Sequence, residues 1–201
     1  MKNTIKKILL VTVGTLVAAF GIDLAIHASF GGATLAVLWE GCALTFHITM
    51  GQASFLIAAV MLLFCFFYDR KQIGWGTVIY QILYSTFVDV FEGFLVYTDS
   101  RIANFGLMVL GIVLLSVGCG IYSYADWGRG SYEALTFALV NRRGWQTQYV
   151  RIGLDICCVA VGAVLGGKFG WCTVVTVLLS GVILQRVVGW LRRVRFLGLE
   201  Q

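Results

Sequence analysis

The sequence has no proline, and only 12% of its 201 residues are charged. Without proline, no helix interior loses its N–H donor, which suits long uninterrupted helices. The scarcity of charge excludes a water-facing globular surface, for which roughly a quarter of residues is usual. The six cysteines form no C-x-x-C pair, so neither a disulfide framework nor a zinc site is expected. No nucleophile–His–acid set, phosphate loop or dinucleotide fingerprint occurs, so the chain is expected to be no enzyme and to need no cofactor or metal.

What is present is hydrophobic: 59% of residues, with 24 glycines and a mean hydropathy of +0.88. Disorder would need low hydrophobicity, so it is excluded as well. The bilayer is the solvent that this composition suits. A spanning helix takes ~20 apolar residues, so the chain has room for six spans and no separate soluble domain.

Long uncharged runs mark six candidate spans. They are Ile8 to Phe30, Ala53 to Tyr68 (extended back to Ile48), Gly74 to Val96, Ile102 to Ala125, Tyr149 to Leu165, and Trp171 to about Leu191. With the N-terminus inside, all Lys and Arg residues except Arg101 and Lys168 fall at the cytoplasmic face, Arg195 among them. An odd number of spans would scramble that split. Both termini are therefore expected in the cytoplasm, in a multi-pass protein of the bacterial plasma membrane. The net charge of +5 then reads as topology, without a nucleic-acid partner. The basic, apolar N-terminus imitates a signal peptide, but its apolar run continues past Ala19 without a persuasive cleavage site. It is expected to remain as the first span.

The chain repeats itself. A shift of 97 residues lays Phe30-Gly31-Gly32-Ala33-Thr34 over Trp127-Gly128-Arg129-Gly130-Ser131, and Gly21 over Gly118. With a one-residue gap, Gly74-Trp75-Gly76-Thr77-Val78 lies over Gly170-Trp171-Cys172-Thr173-Val174. The expected fold is all-α: one transmembrane domain over 1–201, made of two inverted-topology three-helix repeats, about 8–98 and 102–195. Such repeats recur in transporters, with the site at their interface. Each half also carries a segment too short to span, Thr34 to Phe46 and Ser131 to Asn141, after a glycine-rich elbow. Each opens on an N-cap type of residue. Re-entry into the membrane and an interfacial position both fit these segments.

At these elbows the sequence resembles the YczE/YitT-like family of bacterial integral membrane proteins. Gly128-Arg129-Gly130-Ser131-Tyr132-Glu133-Ala134-Leu135 is similar to that family's G-x-G-P-x-D-x-L pattern. Val150-Arg151 with Asp155 resembles V-R-x-x-x-[DE], and Val88-Asp89-Val90-Phe91 resembles I-D-x-F. Asp69-Arg70-Lys71-Gln72-Ile73-Gly74-Trp75-Gly76-Thr77 is similar to D-R-K-x-I-G-x-G-T. Four positions depart from the pattern: Thr34 and Ser131 replace proline, Ala36 replaces the first-half acid, and Cys172 replaces glycine. The resemblance implies a fold and supplies no function.

Ionisable groups within spans cost roughly 2.5–3.5 kcal/mol each, so they are functional candidates by default. Asp23 and His27 lie one turn apart on the first span and could pair. Asp89 and Glu92 share a face of the third and could hold a cation or a shared proton; Asp89 is the deeper. Glu133 follows the second elbow. Arg151 and Asp155, with Arg129, are candidates for gating or a structural ion pair, Arg151 reaching either Asp155 or Glu133. The elbows themselves, through Gly31, Thr34, Gly128, Gly130 and Ser131, start the short helices. Glycines such as Gly14, Gly21, Gly111 and Gly118 suit close helix packing. The leading expectation is a small-solute transporter or exporter, proton- or cation-coupled, with lipid and an unknown solute as partners and a homo-oligomer compatible with the sequence. A six-helix substrate-binding subunit of a larger importer and a non-transporting accessory protein are the alternatives.

Overall fold

A computed structural model describes residues 2–94 and 100–194. The expected end of the third span at Val96, and Arg195, lie outside the described residues. Eight α-helices and one 3₁₀ turn, Arg70–Gln72, make up the described fold, without a strand among those residues. The helices are α1 (Lys2–His27), α2 (Thr34–Phe46), α3 (Met50–Tyr68), α4 (Trp75–Glu92), α5 (Arg101–Tyr124), α6 (Ser131–Arg143), α7 (Thr147–Val164) and α8 (Trp171–Arg193).

Four of these, α1, α3, α5 and α8, are long and apolar enough to cross a membrane. The other two expected spans are the 18-residue helices α4 and α7, whose apolar runs are interrupted by Gln81, Ser85, Arg151 and Asp155. Large hydrophobics such as Phe67, Ile102, Val164 and Leu178 point outward. That surface suits lipid, where every backbone group must be satisfied within the helix.

The centre of the fold is the seam between α1 and α5. A Cβ on Gly14 would lie 2.6 Å from Tyr122 N and 2.8 Å from Gly118 O; a Cβ on Gly111 would lie 2.7 Å from both Ala25 N and Gly21 O. Only glycine permits such backbone-to-backbone approach. Early residues of α1 thus face late residues of α5, so the two helices run antiparallel.

Around this seam the contacts come in matched sets. The elbow before α2 docks on the start of α8: Gly32 N donates to Lys168 O at 2.9 Å, Cys172 N to Phe30 O at 3.1 Å, and Thr173 Oγ1 to Gly32 O at 2.6 Å. The elbow before α6 docks on the start of α4, where Gly76 N donates to Trp127 O at 2.9 Å. Gly31 (φ 87°) and Gly128 (φ 128°) need the left-handed region that only glycine enters freely. Two further pairs of positive-φ residues recur at the same spacing, Ser29 with Asp126 and His47 with Gly144, while Gly166 has no such counterpart. Each short helix packs on a helix of the other half, α2 on α7 and α6 on α3. The outer ends are stapled alike. Glu40 Oε2 accepts from Lys168 N at 2.8 Å, and Asn141 Nδ2 donates to Asp69 Oδ2 at 3.5 Å.

Thr34 and Ser131 are not the caps of their helices. The cap positions are Ala33 and Gly130, without a side-chain bond, and the two hydroxyl residues are the first helical ones. Their side chains are thereby turned into the protein, where both are buried.

Candidate functional site

The first turns of α2 and α6 meet at one partly open cavity of about 110 Å³. That is room for several waters or a small solute. Ala33, Thr34 and Ala36 reach it from one elbow; Ser131, Tyr132 and Glu133 reach it from the other. Helical spacing delivers the rest. Tyr80, Gln81 and Tyr84 lie on one face of α4, Arg151 and Asp155 are one turn apart on α7, and Thr176 and Ser180 repeat that spacing on α8.

Two carboxylates enter the cavity wall, and tyrosine hydroxyls are their partners. Tyr122 donates to Glu133 Oε2 at 3.0 Å and accepts from Gly130 N at 3.1 Å, so one phenol holds both the acid and its elbow. The ring of Tyr122 stacks on Tyr80, centroids 4.2 Å apart. Tyr132 donates to Asp155 Oδ1 at 2.8 Å, with the Arg151 carbonyl 3.3 Å away. The sequence left Arg151 to pair with Asp155 or Glu133; phenols reaching from α5 and α6 take one oxygen of each acid, and both acids remain charged neighbours of Arg151. The Arg151 guanidinium lies 5.5 Å from the Tyr132 ring centroid. It lies beside Gly181 of α8.

The opposite wall is uncharged. Gln81 Nε2 lies 3.2 Å from Ser85 Oγ, Ser54 Oγ and Ser85 Oγ are 3.0 Å apart, and Ser131 Oγ donates to Gln81 Oε1 at 3.4 Å. This chain of buried polar groups ties α3, α4 and α6 together.

The other candidates lie away from the cavity. Asp23 is 2% exposed, and its Oδ2 has no hydrogen-bond partner. Its charged neighbours are Glu92 and Asp89. His27 does not reach the Asp23 carboxylate as expected; its Nδ1 donates to the Asp23 backbone oxygen at 2.8 Å. Asp89 serves the start of α3, accepting from Gly51 N at 2.7 Å and from Thr49 Oγ1 at 2.8 Å. Glu92 is exposed at the end of α4. Arg129 is exposed as well, its guanidinium 3.6 Å over the Phe137 ring. Outside the spans, the Gln72 amide and then the Lys71 backbone hold the Asp69 carboxyl below its ordinary range. Among the described residues no group of three His, Cys, Asp or Glu converges as a metal would require.

Sequence reasoning missed Tyr80, Gln81, Tyr84, Tyr122 and Tyr132. Uncharged residues raise no alarm in a hydropathy scan. The one signal was a glutamine in mid-helix, which is costly in lipid unless it has partners.

The model of a family of unknown function, DUF6198, matches residues 5–188, from the start of α1 almost to the end of α8. The chain belongs to this family. A curated relative in sequence is the uncharacterized membrane protein YczE of Bacillus subtilis (strain 168), 28% identical over 176 residues, or 86% of this chain and 80% of the relative. The chain is accordingly a helical membrane protein of YczE-like type. No solved structure matches it. In this chain Gly128 makes the turn of the second elbow, and Glu133 lines the cavity.

Proposed function

We propose that the chain is a multi-pass small-solute transporter of the bacterial plasma membrane, with both termini in the cytoplasm and no enzymatic role. Its two three-helix halves are inverted relative to each other, and α4 and α7 cross the bilayer with the four more apolar helices. The antiparallel α1/α5 seam and the paired elbow contacts support inversion. One observation carries the transport reading: the first turns of two half-length helices from opposite halves end on one cavity whose wall holds Glu133, Arg151 and Asp155. Charge is costly at such depth, and function is the usual reason for keeping it. In repeat transporters the half-helix ends serve as the solute site.

Asp23 is the candidate coupling residue. A buried carboxylate oxygen without a partner is costly, and a proton or small cation would relieve that cost. Its neighbour Ile22 lines the cavity, so α1 links the two places.

Reconstitution tests the reading. In proteoliposomes, radiolabelled small metabolites should exchange or accumulate under an imposed proton or sodium gradient, and D23N should uncouple the movement from the gradient. Absence of any solute movement under every gradient would sink it.

A further inference from the structure

The charges around the cavity specify the kind of solute. Glu133 and Asp155 contribute two negative charges and Arg151 one positive. The N-terminal ends of α2 and α6 each add the equivalent of roughly half a positive charge. The sum is near zero. A net cation or a net anion would therefore bring an unbalanced charge into a low-dielectric space. A molecule carrying one charge of each sign brings none, and it finds a partner for each.

Those partners have spare capacity. Each carboxylate gives one oxygen to a tyrosine, Glu133 Oε2 to Tyr122 and Asp155 Oδ1 to Tyr132, while a carboxylate can accept about four bonds. The Arg151 guanidinium, with its fork of donors, matches a carboxylate in two-bond geometry. Beside its Ser and Gln groups, the uncharged side of the space carries Ile22, Trp39, Tyr80 and Tyr84. It accommodates a small hydrocarbon body.

We propose that the cavity binds a small zwitterion of the amino-acid kind, its carboxylate on Arg151 and its ammonium on Glu133 and Asp155. This rests on the transporter reading for its purpose, although binding is measurable without transport. Tyr122 and Tyr132 are positioning residues, because they aim the two acids.

Calorimetric titration of the purified full chain in nanodiscs tests the assignment. The probes are L-alanine and L-proline, each beside its amide (a cation) and its deaminated acid (propionate and cyclopentanecarboxylate, anions). At least one zwitterion should bind tenfold or more tightly than its amide and its acid. R151Q should weaken that zwitterion thirtyfold or more while changing the amide less than threefold. E133Q/D155N should weaken the zwitterion similarly and spare the acid. If R151Q fails to fold, R151K keeps the charge without the fork and should still lose about tenfold. Equal binding of an amide or acid, a uniform loss across all probes in R151Q, or no binding of any probe would overturn the proposal. Flux separates it from the transporter reading: zwitterion binding without flux defeats transport alone, and flux confined to cations defeats the zwitterion alone.

Discussion

The two walls of the cavity occupy equivalent places in the repeat and are built from opposite materials. In the first half, α3 and α4 pack along each other, and Ser54, Gln81 and Ser85 lock them with neutral hydrogen bonds. In the second half, α7 and α8 share at most marginal contact, and Arg151 and Asp155 stand where the 97-residue shift places Ser54 and Ala58. Glu133 likewise answers to Ala36. At corresponding positions under the shift, one wall is a neutral seal and the other a charged face, so the site is asymmetric.

Converting the charged wall into the neutral one should have the largest effect. R151S/D155A removes a cation and an anion together, and Tyr122 still donates to the Glu133 carboxylate that remains. The protein should fold and melt within a few degrees of wild type, yet lose on the order of 2–5 kcal/mol of solute binding by calorimetry. Preserved binding would place the site elsewhere. Opening the seal should act on stability instead. S85A removes a buried hydroxyl that serves both Ser54 and Gln81, and should cost about 1–3 kcal/mol in a denaturation series while solute affinity stays within twofold. Parallel losses of stability and binding would mean that the two walls are not divided in this way.

A third variant sharpens the boundary of the site. D89A removes the acceptor of Gly51 N and Thr49 Oγ1 at the start of α3, and should cost about 0.5–2 kcal/mol, as lost helix caps do. D89N, which keeps one acceptor, should cost less. The smallest effect concerns the Asp69 staple. Its carboxyl is held below the ordinary range in the folded chain, so its contribution is fully present above the unfolded value of about 4 and fades as pH falls through the lower folded value. The stability gap between wild type and D69N, followed by thermal melting, should therefore close as the pH drops below about 4. A gap that widens in acid would reverse the assigned sign.

Much of the scaffold is legible before any coordinates. The short segments begin at Thr34 and Ser131 as expected, and the spans match α1, α3, α5 and α8 to within a turn or two. Glycine landmarks at 30–34 and 127–131 mark elbows whose left-handed positions recur at the same spacing. Hydropathy and glycine act on neighbours in sequence, so a linear reading finds them. Side-chain partners are a different matter. Asp89 and Glu133 both look like intramembrane acids worth testing, but one accepts from Thr49 and Gly51 at a helix start, and the other from Tyr122 beside the cavity. His27 likewise meets the Asp23 backbone oxygen, and Asp155 accepts from the Tyr132 phenol. Spacing says which groups could meet along one helix, whereas the winning partner came from the backbone or from another helix.

The absence of proline belongs to both levels. Composition alone determined that this is a chain for lipid, with helices unbroken by residues that cannot donate, and the repeat determined where its two elbows lie. The tertiary structure decided what the elbows do. Ala33 and Gly130 take the cap positions, which turns Thr34 and Ser131 inward, and the phenols of Tyr122 and Tyr132 hold Glu133 and Asp155 at the cavity that Arg151 also lines. A bilayer selects for apolar content summed over a segment. The environment of a single carboxylate is set by the few atoms within hydrogen-bond reach, and those arrive from distant parts of the chain.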